Sequence, residues 1–386
     1  MCLCFLQNGS GRGAIVISHL FISSAFIYLA AQQAGCEDTT THEVDTTCEK
    51  NVYGLRPSSL VAIIATLSGV LAALFMPIIG AIIDYTPHRR LVGISSATLI
   101  WGIQFVQIWT NSQTWFAMLI LQVINGFIYQ VQFIATFAYF PNVADIVGEQ
   151  TMNNFLAKFR MIQFGSMLVF LLLVILFSMV VPNITDVITS MISQTLSAIW
   201  IGICFLVGWF TLPNVPRRHT LGTDQSLLTA GFLQTWHTTR RIVREYGKSL
   251  QWYFYAVIFA EAGANAFTSL AVTYMNVVLQ MSSQQIGVQY LIVLLCTIPG
   301  SKLGEFVSNR LNPNISFRLC LTFFSIVTAI AALVLTGPAM QVVCYMFGVF
   351  WGISLGWYVF NSIVPYHFFL SCSDLSFSTE QTGTIS

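Results

Sequence analysis

Glu261 and Asn265 stand one helical turn apart in the stretch FAEAGANAF, inside an apolar run from Trp252 to Val278. An acid and an amide on one helix face can hold an amino group or pass a proton, and their small neighbours let backbone or a solute approach. A charge at the centre of a bilayer costs about 2.5–3.5 kcal/mol even on the mildest scale, so Glu261 is expected to be protonated, paired or facing water. A protonated Glu bonded to a neighbouring helix is the plain structural alternative. The other polar groups within apolar runs are His19, Gln104, Gln107, Asn125, Gln130, Gln132 and Gln163. Such groups commonly tie helices together by hydrogen bonds, and of them Asn125 and Gln130 join Glu261 and Asn265 as candidates for solute contact. Gln130 and Gln132 cannot both face one side of a helix.

Enzymatic chemistry finds no support. The six His are scattered, and HExxH and a phosphate-cradling Gly-rich loop with its Lys are both missing. GSGRG near the start precedes an apolar run rather than following a strand, so it does not read as a phosphate loop. No cofactor or metal is expected. Cys36 and Cys48 share the acidic segment CEDTTTHEVDTTCEK, where either a disulfide or two free thiols fits. Cys2 and Cys4 are available to acylation but lie in no supporting motif. Asn183, in the sequon NIT, is a possible glycosylation site.

Composition sets the solvent for these groups. With 55% apolar residues, 8% Asp, Glu, Lys and Arg, and a mean hydropathy of +0.73, the chain cannot clothe a water-facing surface, so its partner is the lipid bilayer. A formal net charge of +1 argues against nucleic acid as a partner. At 1.5 Å per residue a span needs about 20 apolar residues. Ten such runs are expected, at roughly 13–35, 58–83, 91–110, 114–139, 155–181, 188–212, 252–278, 285–306, 315–336 and 339–364. They are too long and continuous for lipid-spanning strands. With the amino terminus in the cytoplasm, all of the 16 Lys and Arg except Lys50 and Arg56 fall inside, Arg12 among them as a flanking charge. Both termini are then cytoplasmic. The first run also has features of a secretory signal core, although it is longer than most.

The widest gap, 213–251, divides the chain. Residues 1–212 are expected to form a six-helix bundle, 213–251 a basic cytoplasmic linker, 252–365 an incomplete bundle of four helices, and 366–386 a polar tail. Arg240, Arg241, Arg244 and Lys248 at helical spacing make the linker either an amphipathic helix on the inner leaflet or a solvated loop. Two other loops repeat. GAIIDYTPHRR (Gly80 to Arg90) and GSKLGEFVSNR (Gly300 to Arg310) each place Gly ten residues before Arg, at the end of the second helix of each half and 220 residues apart.

Gly80, Asp84, Arg89 and Arg90 resemble the loop signature of the major facilitator superfamily, with Gly300 and Arg310 as a degenerate copy. The segments at 54–90, FAYFPNVAD (137–145) and GISLGWYVF (352–360) are similar to the autophagy-related vacuolar effluxer family. The resemblance implies an all-α major facilitator bundle that exports amino acids by alternating access, in a vacuolar or lysosomal membrane, with the plasma membrane as the alternative. It implies that Gly80 lets two helices approach, and that Asp84, Arg89 and Arg90 form a gate by binding acids and helix termini of the neighbouring bundle. Members of that family have twelve helices, and this chain ends after ten in CSDLSFSTEQTGTIS. A shortened, non-transporting member, degraded or regulating a full-length transporter, is therefore the competing expectation.

Overall fold

Long runs of Leu, Ile, Val, Phe and Ala become helices in an apolar solvent because a helix satisfies its own backbone hydrogen bonds. The computed structural model describes residues 2–36, 50–140, 142–143, 148–181, 185–215, 226–245, 248–311 and 313–359. Through them the chain runs as α1 (Cys2–Gln33), α2 (Leu60–Tyr85), α3 (Arg89–Val106), α4 (Trp115–Phe137), α5 (Glu149–Val180) and α6 (Asp186–Ile201). A π-helical turn, Gly202–Leu206, prolongs α6 to Thr211. There follow α7 (Leu227–Glu245), α8 (Lys248–Val277), α9 (Ser283–Leu311), α10 (Pro313–Val334) and α11 (Pro338–Val359).

Among the described residues nine helical segments are long and apolar enough to cross a membrane: α1 to α6 and α9 to α11. Each falls on an expected run. The seventh expected run is the 30-residue α8, long enough to span at 1.5 Å per residue but not one of the nine.

The helices form two compact units. One comprises residues up to 142 with 162–286, the other 143–161 with 287 onward. α7 and α8 pack on α2 and α1 of the first unit. Part of the basic linker is the helix α7, seated on α2. Gly231 makes this seat possible: a Cβ there would run into the Pro77 carbonyl of α2.

In the first unit an apolar cluster joins Ile22, Phe26 and Leu29 from α1, Leu60 and Ile64 from α2, and Trp115 and Met118 from α4. In the second unit α11 carries Gly348, Gly352 and Gly356, four residues apart and so on one face. Cβ atoms on them would collide with Gln289, the Val293 carbonyl and the Thr297 carbonyl of α9. Gly300 of α9 meets the Ile353 carbonyl in the same way. The two backbones therefore approach closely, as small residues permit in membranes. Gln289 Nε2 donates to the Cys344 carbonyl at 3.0 Å and Ser301 Oγ to the Gly356 carbonyl at 3.2 Å, at opposite ends of this contact.

Candidate functional site

The polar groups of the first unit gather along the antiparallel seam of α1 and α4. Arg12, fully buried, donates through Nη2 to Gln132 Oε1 and, at 3.4 Å, to Thr136 Oγ1. Its guanidinium lies over the rings of Phe133 (4.7 Å to the centroid) and Tyr129 (5.6 Å). Seven residues on, His19 Nε2 lies 3.0 Å from Asn125 Nδ2, and Asn125 is seven residues before Gln132. Two helical turns on each helix thus separate two polar rungs. Tyr129 stands between them, its ring edge-on to His19 at 6.4 Å.

The local sequence explains why Arg12 faces α4. Gly11 and Gly13 flank it, and a Cβ on Gly11 would meet the Phe205 ring in the π-helical turn after α6, while one on Gly13 would meet Ser166 and the Gln163 carbonyl of α5. The glycines bring α5 and α6 against the other faces of α1. Ser166 Oγ donates to the Ser10 carbonyl (3.1 Å) and Trp200 Nε1 to Ser10 Oγ (3.1 Å), which fixes the rotation of α1. Beside the seam, Ser18 Oγ donates to Gln104 Oε1 (3.2 Å) and Gln194 Nε2 to the Ser18 carbonyl (3.3 Å). The result is a row of cationic, imidazole, amide and aromatic groups inside a bundle of apolar helices, chemistry suited to a carboxylate or other polar solute group.

The sequence-derived candidates divide among these surroundings. Asn125 is buried in the seam, and Gln132 faces Arg12. Gln130 is exposed on another face of α4. Glu261 and Asn265 are both exposed on α8, where Asn265 Nδ2 donates to the Glu261 backbone carbonyl at 2.9 Å. Among the described residues the Glu261 carboxylate has no hydrogen bond or ion pair to a neighbouring helix. Arg12 corrects the expectation of a solvated flanking charge: it lies within α1, in a span that begins at Gly9.

At the other candidate position, Arg89 and Arg90 bind helix ends of their own unit. Arg89, almost fully buried, donates to the Ala138 carbonyl just past α4 (2.9 Å) and to Asn142 Oδ1 (3.4 Å). Arg90 donates to the Phe210 carbonyl in the last turn after α6 (2.6 Å). Cations belong at such carbonyl-rich ends. Arg89 also lies 5.6 Å from the Tyr139 centroid, and Tyr139 packs edge-on against Trp209, whose indole covers Gly93. Burial pushes the Tyr139 phenol up, and the charges of Arg89 and Arg90 partly offset that. Asp84 makes no ion pair among the described residues and lines a groove between α2 and α7. Gly80 lines the same groove, and a Cβ there would meet nothing within 4 Å, so it is no close-approach glycine. Arg310 is exposed, its guanidinium over Phe306 of its own helix at 5.0 Å. Cys36 is buried and disulfide-bonded. Cys48 and Asn183 lie outside the described residues.

Sequence reasoning read Arg12 only as a topology charge and gave His19 only a packing role. The signal for Arg12 was an arginine between two glycines, GSGRG, at the head of an apolar run.

Three solved structures have a similar course of helices. The partially occluded inward-open xylose transporter XylE from E. coli matches with a TM-score of 0.57 at 12% identity, over 94% of this chain and 86% of that one. A D-xylose-proton symporter matches with 0.53 at 14% identity, over 93% and 81%. The nucleoside transporter NupG, in a mutant form, matches with 0.50 at 14% identity, over 92% and 81%. No curated protein sequence matches the chain. The Major Facilitator Superfamily profile matches residues 13–369, which is most of the chain; it includes the His19–Asn125 rung and the α2–α3 loop and begins one residue after Arg12. The chain belongs to the Major Facilitator Superfamily.

Proposed function

We propose that the protein is a secondary active transporter that moves small polar solutes by alternating access, with amino acids as the solute class. The observation that carries this reading is the α1–α4 seam. Keeping an arginine, a histidine and several amides inside lipid-facing helices is costly, and such groups within spans mark solute or ion paths. Arg12 offers a planar donor fork suited to a carboxylate. The Glu261 and Asn265 face of α8 offers acceptors for an ammonium group, and Glu261 an acid able to couple transport to protons. Amino acids present both groups. The likeness of 54–90, 137–145 and 352–360 to the vacuolar effluxer family supports the same solute and a vacuolar or lysosomal membrane.

The test is counterflow in proteoliposomes preloaded with unlabelled solute. Labelled neutral and basic amino acids are expected to accumulate transiently, whereas xylose and uridine, chosen for the solutes of the structurally similar transporters, are not. Counterflow of xylose or uridine with none of any amino acid would overturn the solute assignment. Absence of counterflow for all three classes, with the protein folded and inserted, would overturn transport.

A further inference from the structure

We propose that the seam where α6 meets α1 and α3 is a binding site for ordered internal water. Ser190, Ser193, Gln194 and Ser197 stand at positions i, i+3, i+4 and i+7 of α6, so they form one stripe along the helix, and all four are fully buried. Gln194 Nε2 donates to the Ser18 carbonyl of α1 at 3.3 Å, which turns the stripe toward α1. Gln104 of α3, also fully buried, accepts from the hydroxyl of the same Ser18 through Oε1 at 3.2 Å. Amides from two other helices thus converge on one residue of α1.

These contacts leave polar atoms over. Ser190 Oγ, Ser193 Oγ, Ser197 Oγ, Gln194 Oε1 and Gln104 Nε2 are buried and have no hydrogen bond among the described residues. A hydroxyl on a buried helix commonly returns its proton to the carbonyl one turn back, as Thr189 and Thr195 of α6 do to Thr185 (3.1 Å) and Met191 (2.8 Å). The three serines do not, so both their protons and their lone pairs remain for a ligand in the seam.

The mixture of leftover atoms identifies that ligand. A metal cation would satisfy Gln194 Oε1 and the serine lone pairs but repel the Gln104 N–H, and an anion would do the reverse. Water both donates and accepts, so one molecule can receive the Gln104 N–H and donate to Gln194 Oε1 or to a serine. Turning the Gln104 amide over exchanges its donor for an acceptor, which water meets by donating twice. A buried water typically holds about three polar partners, and the stripe offers them along two turns of α6. This proposal does not depend on which solute the protein carries.

The experiment uses the full chain, isotope-labelled at serine, in proteoliposomes. Magnetisation transfer from water protons to each serine Cβ is followed by solid-state NMR, and the three signals are assigned by their loss in Ser190→Ala, Ser193→Ala and Ser197→Ala. Transfer to these serines is expected to be severalfold faster than to Ser96, which is also buried but donates to the Gly93 carbonyl of its own helix at 3.0 Å. Transfer no faster than to Ser96 would overturn the proposal. Each Ala variant is expected to melt about 2–4 °C below the parent, the shift of one lost hydrogen bond in a unit of this size. Melting at or above the parent's temperature, the result of removing an unsatisfied hydroxyl from dry packing, would also overturn it. Melts in sodium, potassium and N-methylglucamine chloride are expected to agree. Stabilisation by sodium or potassium that disappears in Ser193→Ala would overturn water as the ligand and assign the seam to that ion.

Discussion

His19 Nε2 and Asn125 Nδ2 lie 3.0 Å apart across α1 and α4. An amide nitrogen can only donate, so Nε2 accepts and the neutral ring carries its proton on Nδ1. Asn125 Oδ1 is buried and has no hydrogen bond among the described residues. Turning the amide by half a rotation would present that oxygen to a ring protonated at Nε2, so the contact accommodates both charge states of the imidazole. The rung is therefore a coupled pair.

The coupling is measurable as stability. His19→Phe and Asn125→Leu each leave one buried polar partner, and each should lower stability in detergent by about 1 kcal/mol, near the mean for hydrogen bonds between membrane helices. The double variant should cost less than the sum of the two, because neither polar group remains. Strict additivity in thermal melts would show that the two side chains do not interact.

Arg12 gives the second expectation. Lysine keeps the charge but loses the planar fork and the flat stacking on Phe133 and Tyr129. Arg12→Lys should insert and melt like the parent, within about 1 kcal/mol, while solute uptake falls by about tenfold or more, the equivalent of 1.4 kcal/mol in solute binding. Uptake at the parent's rate would remove Arg12 from the solute path and leave it as a packing residue.

The two repeated loops make a matched comparison. A Cβ on Gly80 meets open space, whereas one on Gly300 meets the Ile353 carbonyl. Gly80→Ala should leave the melting temperature almost unchanged, or raise it slightly through helix propensity. Gly300→Ala should cost about 1–3 kcal/mol, the usual range for overpacking. Equal melting temperatures for the two variants would contradict the close approach of α9 and α11.

These residues also show what a sequence can carry. The spans at α1 to α6 and α9 to α11 were legible because bilayer thickness demands long apolar runs, which composition alone displays. Gly80 and Gly300 looked equivalent because spacing records a repeat but not what faces each glycine. Arg12 was read as a topology charge because a basic residue at the head of an apolar run has the same pattern whether it faces water or a helix seam. Its role depends on Gln132, 120 residues away, and on the rotation of α1 set by Gly11 and Gly13. The seat of α7 on α2 was hidden for a related reason: amphipathic periodicity announces a buried face without naming what covers it.

Glu261 poses the remaining question of coupling. Its carboxylate is exposed on α8, while Asn265 uses its amide on the Glu261 backbone carbonyl rather than on the acid. An acid midway along the seventh expected span must meet water, a solute or a proton during the cycle, since lipid alone would not tolerate its charge. Glu261→Gln keeps size and hydrogen-bonding capacity and fixes the neutral form. The substitution is expected to leave insertion and melting unchanged and to preserve counterflow, which needs no proton movement. Accumulation driven by an imposed pH gradient should be lost. The measurement is uptake into proteoliposomes with and without that gradient, comparing parent and variant at matched protein content. Gradient-driven accumulation by Glu261→Gln at the parent's rate would end the coupling role. Loss of counterflow together with accumulation would instead make Glu261 a solute-binding group.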